Sequence, residues 1–193
     1  YEGSFKLGQR DGEGRLEQGG ERYSGEFKAN LFHGFGRLQM ADGSSFQGRF
    51  ARGVPVGEGV RIDAAGDQLS GMFSAGKLNG AGSYLGVDGD HYSGSFRGDK
   101  FHGQGRYADA DGAVWSGTFR HGELEGPGEF HDTDGSFYLG QFKRWEYSGK
   151  GVLTLADGSS SRGEWLQGRR VRDASGQRLS DPLELALLDQ GAL

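Results

Sequence analysis

Apolar and polar positions alternate in short runs along this chain, and the alternation restarts at a fixed interval. In the run YSGSF at Tyr92–Phe96, an aromatic, a polar residue, glycine, a polar residue and a second aromatic follow one another. That is the period-two signature of a strand with one apolar face. The same frame begins at Tyr1, Tyr23, Phe46, Leu69, Tyr92, Trp115 and Tyr138, with a decayed eighth copy at Ser161; the first step is 22 residues and each later one 23. Self-similarity at this period marks a repeat array, so the fold is to be read one repeat at a time.

With the leading residue as position one, position three is Gly3, Gly25, Gly48, Gly71, Gly94, Gly117, Gly140 and Gly163, and position five is Phe in seven copies and Trp165 in the eighth. A GxG pair fills positions twelve and fourteen from Gly12/Gly14 to Gly149/Gly151. It opens a second strand that usually carries Leu, Tyr or Phe at position sixteen. Between the strands the pattern predicts a loop of six or seven residues, with Gly, Asn or Asp at position eight, the residue types that tolerate positive φ. Asp-Gly pairs such as Asp42-Gly43 and Asp88-Gly89 then turn the chain into the next hairpin. The expected fold is all-β: an elongated, single-layer antiparallel meander in which each repeat touches its neighbours, with an array over 1–178 and a capping segment over 179–193.

Composition sharpens this picture. Of 39 glycines, 34 sit at positions three, eight, twelve, fourteen or the Asp-Gly turn, so glycine is placed by geometry and the chain is no low-complexity linker. Strand glycine marks close approach, and an aromatic ring can lie over it. The expectation is a curled sheet with a trough on one face, floored by glycine and walled by two aromatic rows. Net charge of -5 argues against nucleic acid as a partner, and the lack of cysteine excludes disulfides and thiolate chemistry.

The Y-x-G-x-F, G-x-G and D-G pattern resembles the MORN (membrane occupation and recognition nexus) repeat family over Tyr1 to about Gly158. The resemblance implies arrays of β-hairpins used as interaction or scaffolding modules, sometimes as homodimers, sometimes with phospholipid binding, and sometimes joined to enzymes.

Departures from the frame carry the rest. Trp145 stands at position eight, where it is expected to change the loop or to project from it. In the eighth copy Arg169, Arg170 and Arg172 replace the GxG strand, a basic cluster suited to phosphate or anionic lipid. Asp181-Pro182-Leu183-Glu184 reads as the start of a short helix running to Asp189, expected to cap the last strand, to begin a further domain or to join two copies. Tyr1–Phe5 would be a bare edge unless another segment or a second copy pairs with it.

No nucleophile elbow, phosphate loop or metal-ligand spacing is present, and His33 and His102 lie three repeats apart, so no enzyme, cofactor or metal is expected. A lattice of like residues supplies rows, whereas catalysis needs convergence. The expected function is a protein-interaction module, cytoplasmic or peripheral at a membrane, that holds an extended or helical segment of a partner protein. Tyr92, Trp115, Tyr138 and Trp145 are the expected anchors, and Phe96, Phe119 and Phe142 the column behind them. A trough about 70 Å by 10 Å would offer roughly 700 Å², close to one side of a standard interface.

Overall fold

The computed structural model describes residues 1–179. Regular structure there is entirely strand: β1 (Glu2–Lys6), β2 (Gln9–Gln18), β3 (Glu21–Lys28), β4 (Leu31–Gln39), β5 (Ser45–Ala51), β6 (Val54–Ile62), β7 (Gln68–Ser74), β8 (Lys77–Leu85), β9 (His91–Arg97), β10 (Lys100–Ala108), β11 (Val114–Arg120), β12 (Glu123–His131), β13 (Phe137–Lys143), β14 (Glu146–Thr154), β15 (Ser160–Leu166) and β16 (Arg169–Arg172). Two compact units divide them, Tyr1–Ala110 with β1–β10 and a second from Asp111 with β11–β16. In each unit every strand pairs antiparallel with the next in sequence, as the alternation predicts. The expected helix after Asp181 lies outside the described residues.

One expectation is corrected at the hairpin tips. No six- or seven-residue loop joins the two strands of a repeat; only positions seven and eight are unpaired. Both take positive φ, as at Ala29 (49°) and Asn30 (70°), Ala75 (50°) and Gly76 (78°), or Gly98 (56°) and Asp99 (70°). Two consecutive positive φ values make the two-residue turn whose twist matches the flanking strands. The position-eight N–H then donates to the position-ten carbonyl of the preceding repeat: Asn30 to Arg10 at 3.0 Å, Gly53 to Phe32 at 2.8 Å, Asp99 to Leu78 at 3.0 Å. Each of these tips is thereby clipped to the hairpin before it.

The two glycines of GxG do different work. In β9–β10, Gly94 faces Gly105 but Ser95 already faces His102, so Gly103 and Gln104 bulge out of the ladder. Gly103 takes φ +66°, the left-handed bulge position. Gly105 has no such constraint, yet a Cβ there would sit 2.2 Å from Tyr92 Oη and 2.4 Å from its Cζ. Whereas the ring nearest Gly128 is Phe142 of the next repeat, a leading Tyr lies over the second glycine of its own hairpin, as Tyr23 does over Gly36 and Tyr138 over Gly151. Its hydroxyl donates to the position-four carbonyl: Tyr23 to Glu26 at 2.9 Å, Tyr92 to Ser95 at 3.0 Å, Tyr138 to Gln141 at 3.2 Å.

The Asp-Gly connections close as expected. Met40 N–H reaches Ser44 O at 2.8 Å, Gly43 N–H reaches Met40 O at 3.1 Å, and the Asp42 carboxylate accepts the Ser44 N–H and hydroxyl at 2.9 and 2.6 Å. These bonds hold the Asp42 carboxyl below its ordinary range, as they do for Asp134 with Ser136 and Asp157 with Ser159.

Candidate interaction surface

The aromatic rows do not stand apart as open walls. A Tyr or Phe ring at position one meets the position-five ring of its own repeat edge-on, Tyr23 to Phe27 at 5.0 Å and 84°, Tyr92 to Phe96 at 5.1 Å and 90°, Tyr138 to Phe142 at 5.2 Å and 86°. It meets the position-five ring of the next repeat in the same way, Tyr23 to Phe50 at 5.4 Å and Tyr138 to Trp165 at 5.4 Å. The edge-to-face preference of aromatic quadrupoles links the rows into a herringbone that fills the expected trough. Tyr92, Tyr138, Phe96, Phe119 and Phe142 are all buried, and Tyr92, Tyr138 and Phe119 completely. Five of the seven expected contact residues are therefore interior, and the open-walled trough is corrected on this ground.

Sequence reasoning missed position ten because it placed that residue in a loop. It lies in the second strand, and Phe32, Phe101 and Tyr147 stack face to face on Tyr23, Tyr92 and Tyr138 at 3.8, 3.9 and 3.8 Å. Where position one is Leu69 or Trp115, position ten is Leu78 or Leu124, both fully buried. The signal was present: an aromatic at position ten accompanies every Tyr at position one except Tyr1, whose partner slot holds Arg10, with its guanidinium 5.7 Å from the Tyr1 ring.

Trp115 and Trp145 remain partly exposed. Trp145 neither remodels the tip nor leaves it: it keeps φ +70°, and its N–H reaches Leu124 O at 3.2 Å, the bond that Asn30 and Asp99 make in their repeats. Its ring packs on Phe119 (5.4 Å, 70°) and on Trp115 (6.1 Å, 85°), and Trp115 lies on Phe130 at 4.6 Å. Phe130 continues to Tyr147 at 6.1 Å. Within the second unit these four partly exposed rings form one patch whose floor is buried Phe119, Leu124, Tyr138, Phe142 and Trp165. Burial pushes the Tyr147 hydroxyl up to about 12, and the Asp132 charge adds to the shift.

Part of the terminal basic cluster is engaged within the chain. Arg170 donates to Arg162 O at 3.4 Å, and Arg172 pairs with Glu164 at 3.4 Å and donates to Gly176 O at 2.9 Å, while Arg169 is exposed. Among the described residues no group of three or more His, Asp or Glu is placed to hold a metal ion.

The model of the MORN repeat matches seven consecutive segments, residues 1–18, 23–45, 46–68, 70–91, 92–114, 115–137 and 138–160. No curated protein matches in sequence. Among solved structures, the SAS-4 TCP domain of Drosophila melanogaster in complex with a proline-rich motif of Ana2 is 11% identical, with TM-score 0.43, over 78% of this chain and 88% of that one. The TCP10c domain of Drosophila melanogaster Sas-4 is 14% identical, with TM-score 0.37, over 78% of this chain and 97% of that one.

Proposed function

We propose that this chain, which belongs to the MORN repeat family, is a non-enzymatic protein-interaction module whose contact surface is the ring patch of Trp115, Phe130, Trp145 and Tyr147. One observation carries the reading: four large aromatics remain partly exposed over a floor that is already packed. Exposed Trp and Tyr on a rigid base are the residues that dominate binding energy at interfaces. An extended segment of another protein, laid along the strands' apolar face, fits a surface made of ring edges and faces with few donors of its own. Phe119, Tyr138 and Phe142 support this surface from beneath and do not touch the partner, while Tyr92 and Phe96 are interior to the first unit.

All three tryptophans lie in the second unit, so intrinsic fluorescence reports on the patch. Peptides selected from a random extended library against the full chain should blue-shift that emission. Trp115→Ala and Trp145→Ala should each weaken binding at least about tenfold, the size of a modest hot-spot loss, with thermal unfolding little changed. Selected peptides that bind both variants with unaltered affinity would remove the patch from the interface. Anionic vesicles, centred on Arg169, are the competing ligand: binding that falls on Arg169→Glu but ignores the Trp variants would move the function to the lipid reading.

A further inference from the structure

In each unit the two edges of the sheet carry opposite charge. Because the strands of a unit run in a simple meander, its two-residue tips fall on one edge and its Asp-Gly turns on the other. Positions six to nine of the eight repeats hold ten Lys or Arg against three acidic residues. The connections opposite, Gln18–Glu21 in the first repeat and positions eighteen to twenty-two in the next six, hold eleven Asp or Glu and no Lys or Arg. Segregation this complete is not required by the turns. Asp42 serves its turn through Ser44, but Asp88 stands before Asp90, which carries no hydroxyl to donate to it, and the paired positive φ of the tips does not ask for Lys28, Lys77 or Lys100.

The first unit shows the pattern most fully. Lys6, Lys28, Arg52, Lys77, Arg97 and Lys100 line its tip edge, all exposed, and among the described residues none makes an ion pair. Strands of seven to nine residues separate this row from the acidic one by about 25 Å. That exceeds the screening length of about 8 Å at physiological salt, so a partner meets each row separately. Both rows repeat at the same interval, one hairpin or about 10 Å.

We infer that a second copy of this chain docks edge to edge, its Asp-Gly turns against the first copy's Lys and Arg tips. The occupant is identified by what the sheet itself offers: an acidic row of matching sign and identical spacing. Any shift of one copy along the other by a whole repeat restores the match. The contact is head-to-tail, since a tip edge cannot satisfy a tip edge, and it leaves one free edge of each sign, so assembly is open-ended. An edge of ten strands is about 48 Å long and about 10 Å deep, some 500 Å² per partner, below the roughly 800 Å² of a stable pair. Association is accordingly weak, lateral and governed by salt. This reading is independent of the ring patch.

Sedimentation of the full chain tests it. At about 10 mM salt, where the screening length is about 30 Å, the sedimentation coefficient should rise with protein concentration; at about 1 M, with screening near 3 Å, it should not. A tip variant carrying Lys28→Glu, Lys77→Glu, Arg97→Glu and Lys100→Glu should stay monomeric at low salt. A turn variant carrying Glu21→Lys and Asp88→Lys should do the same. Mixed in equal amounts, the two should associate again, which rules out misfolding of either as the cause. Overturning results are a wild-type chain monomeric at low salt, association indifferent to the variants, or a mixture that stays apart. Tips that bind vesicles containing phosphatidylserine while the wild type does not self-associate would likewise overturn it and give the basic edge to a membrane.

Discussion

Gly103 and Gly105 stand two residues apart and are required for unrelated reasons. At Gly103 the demand is chiefly on the backbone: φ is +66°, and a Cβ would meet Ser95 Cβ at 3.3 Å, a close contact relieved by a shift of a few tenths of an ångström. Gly103→Ala should therefore cost about 1–2 kcal/mol, the penalty of holding an L-residue in the left-handed region. At Gly105 the demand is on space, since the added methyl would fall inside the Tyr92 ring. Tyr92 has nowhere to go, being fully buried, bonded through its hydroxyl to Ser95 O at 3.0 Å and stacked on Phe101 at 3.9 Å. Gly105→Ala should cost 3 kcal/mol or more, on the order of losing a core aromatic. Urea unfolding of the two variants side by side checks the order, and equal losses would mean that the ring is free to yield. The Tyr92 hydroxyl alone is worth less, about 1 kcal/mol for a single net hydrogen bond. Phe46 accordingly serves at position one of the third repeat without any hydroxyl, and is equally buried.

At the scale of the hairpin, the period, the strands and the Asp-Gly turns were legible from alternation, because these depend on local chemistry that recurs in every copy. The tip was not. Residues such as Ala29, Arg52 and Ala75 at position seven carry no signature of positive φ, so the two-residue turn was read as a longer loop and position ten was lost with it. The fate of the rings was also illegible, since alternation says which face a ring takes but not that the next repeat's ring will seal it. Trp145 was noticed for the right reason and misjudged in its effect. The clip from position eight to the preceding repeat is a backbone bond, so any side chain able to sit at φ +70° preserves it. Asn30 and Asp99 add a return bond, their side chains accepting the N–H of Arg10 at 2.9 Å and of Leu78 at 2.7 Å. Trp cannot, and its retention at a strained site points to work outside the tip. Trp145→Asn should leave stability unchanged or raise it by about 1 kcal/mol, through relief of strain and a new cap on Leu124 N–H. The same change should abolish peptide binding at the ring patch. A stability loss of 3 kcal/mol or more, as for removing a core Trp, would make Trp145 a structural residue instead.

For the molecule as a whole, repetition multiplies a chemistry that is weak in any one copy. Burial raises the hydroxyls of Tyr23 and Tyr92 in the first unit and of Tyr138 and Tyr147 in the second to about 12. Tyr84 reaches about 12, by burial first and then by its bond to Asp67 at 3.0 Å, and Tyr107 is raised by burial and by its bond to Asp90. A phenol held above its unfolded value of about 10 stabilises the fold fully below pH 10. That contribution is lost as pH climbs from 10 toward 12, because the unfolded chain releases its proton first. On the acid side the lowered carboxyls of Asp42, Asp134, Asp157 and Asp173 act in the opposite sense, their contribution present above the ordinary carboxylate range and lost as pH falls below it. Those four are turn residues, three of them exposed and Asp173 half-buried, whereas Tyr23, Tyr92 and Tyr138 are core, so the alkaline limb should be much the steeper. Followed together, tyrosinate absorbance and far-ultraviolet circular dichroism should change in one step between pH 10 and 12, with more than one proton released per unfolding event. Replacing Tyr92 with Phe should shallow that step by removing one titrating group while leaving the ring in place. Tyrosinate that develops near pH 10 with the dichroism of the strands intact would show that water reaches the phenols, and the herringbone would then lose its claim to be the core.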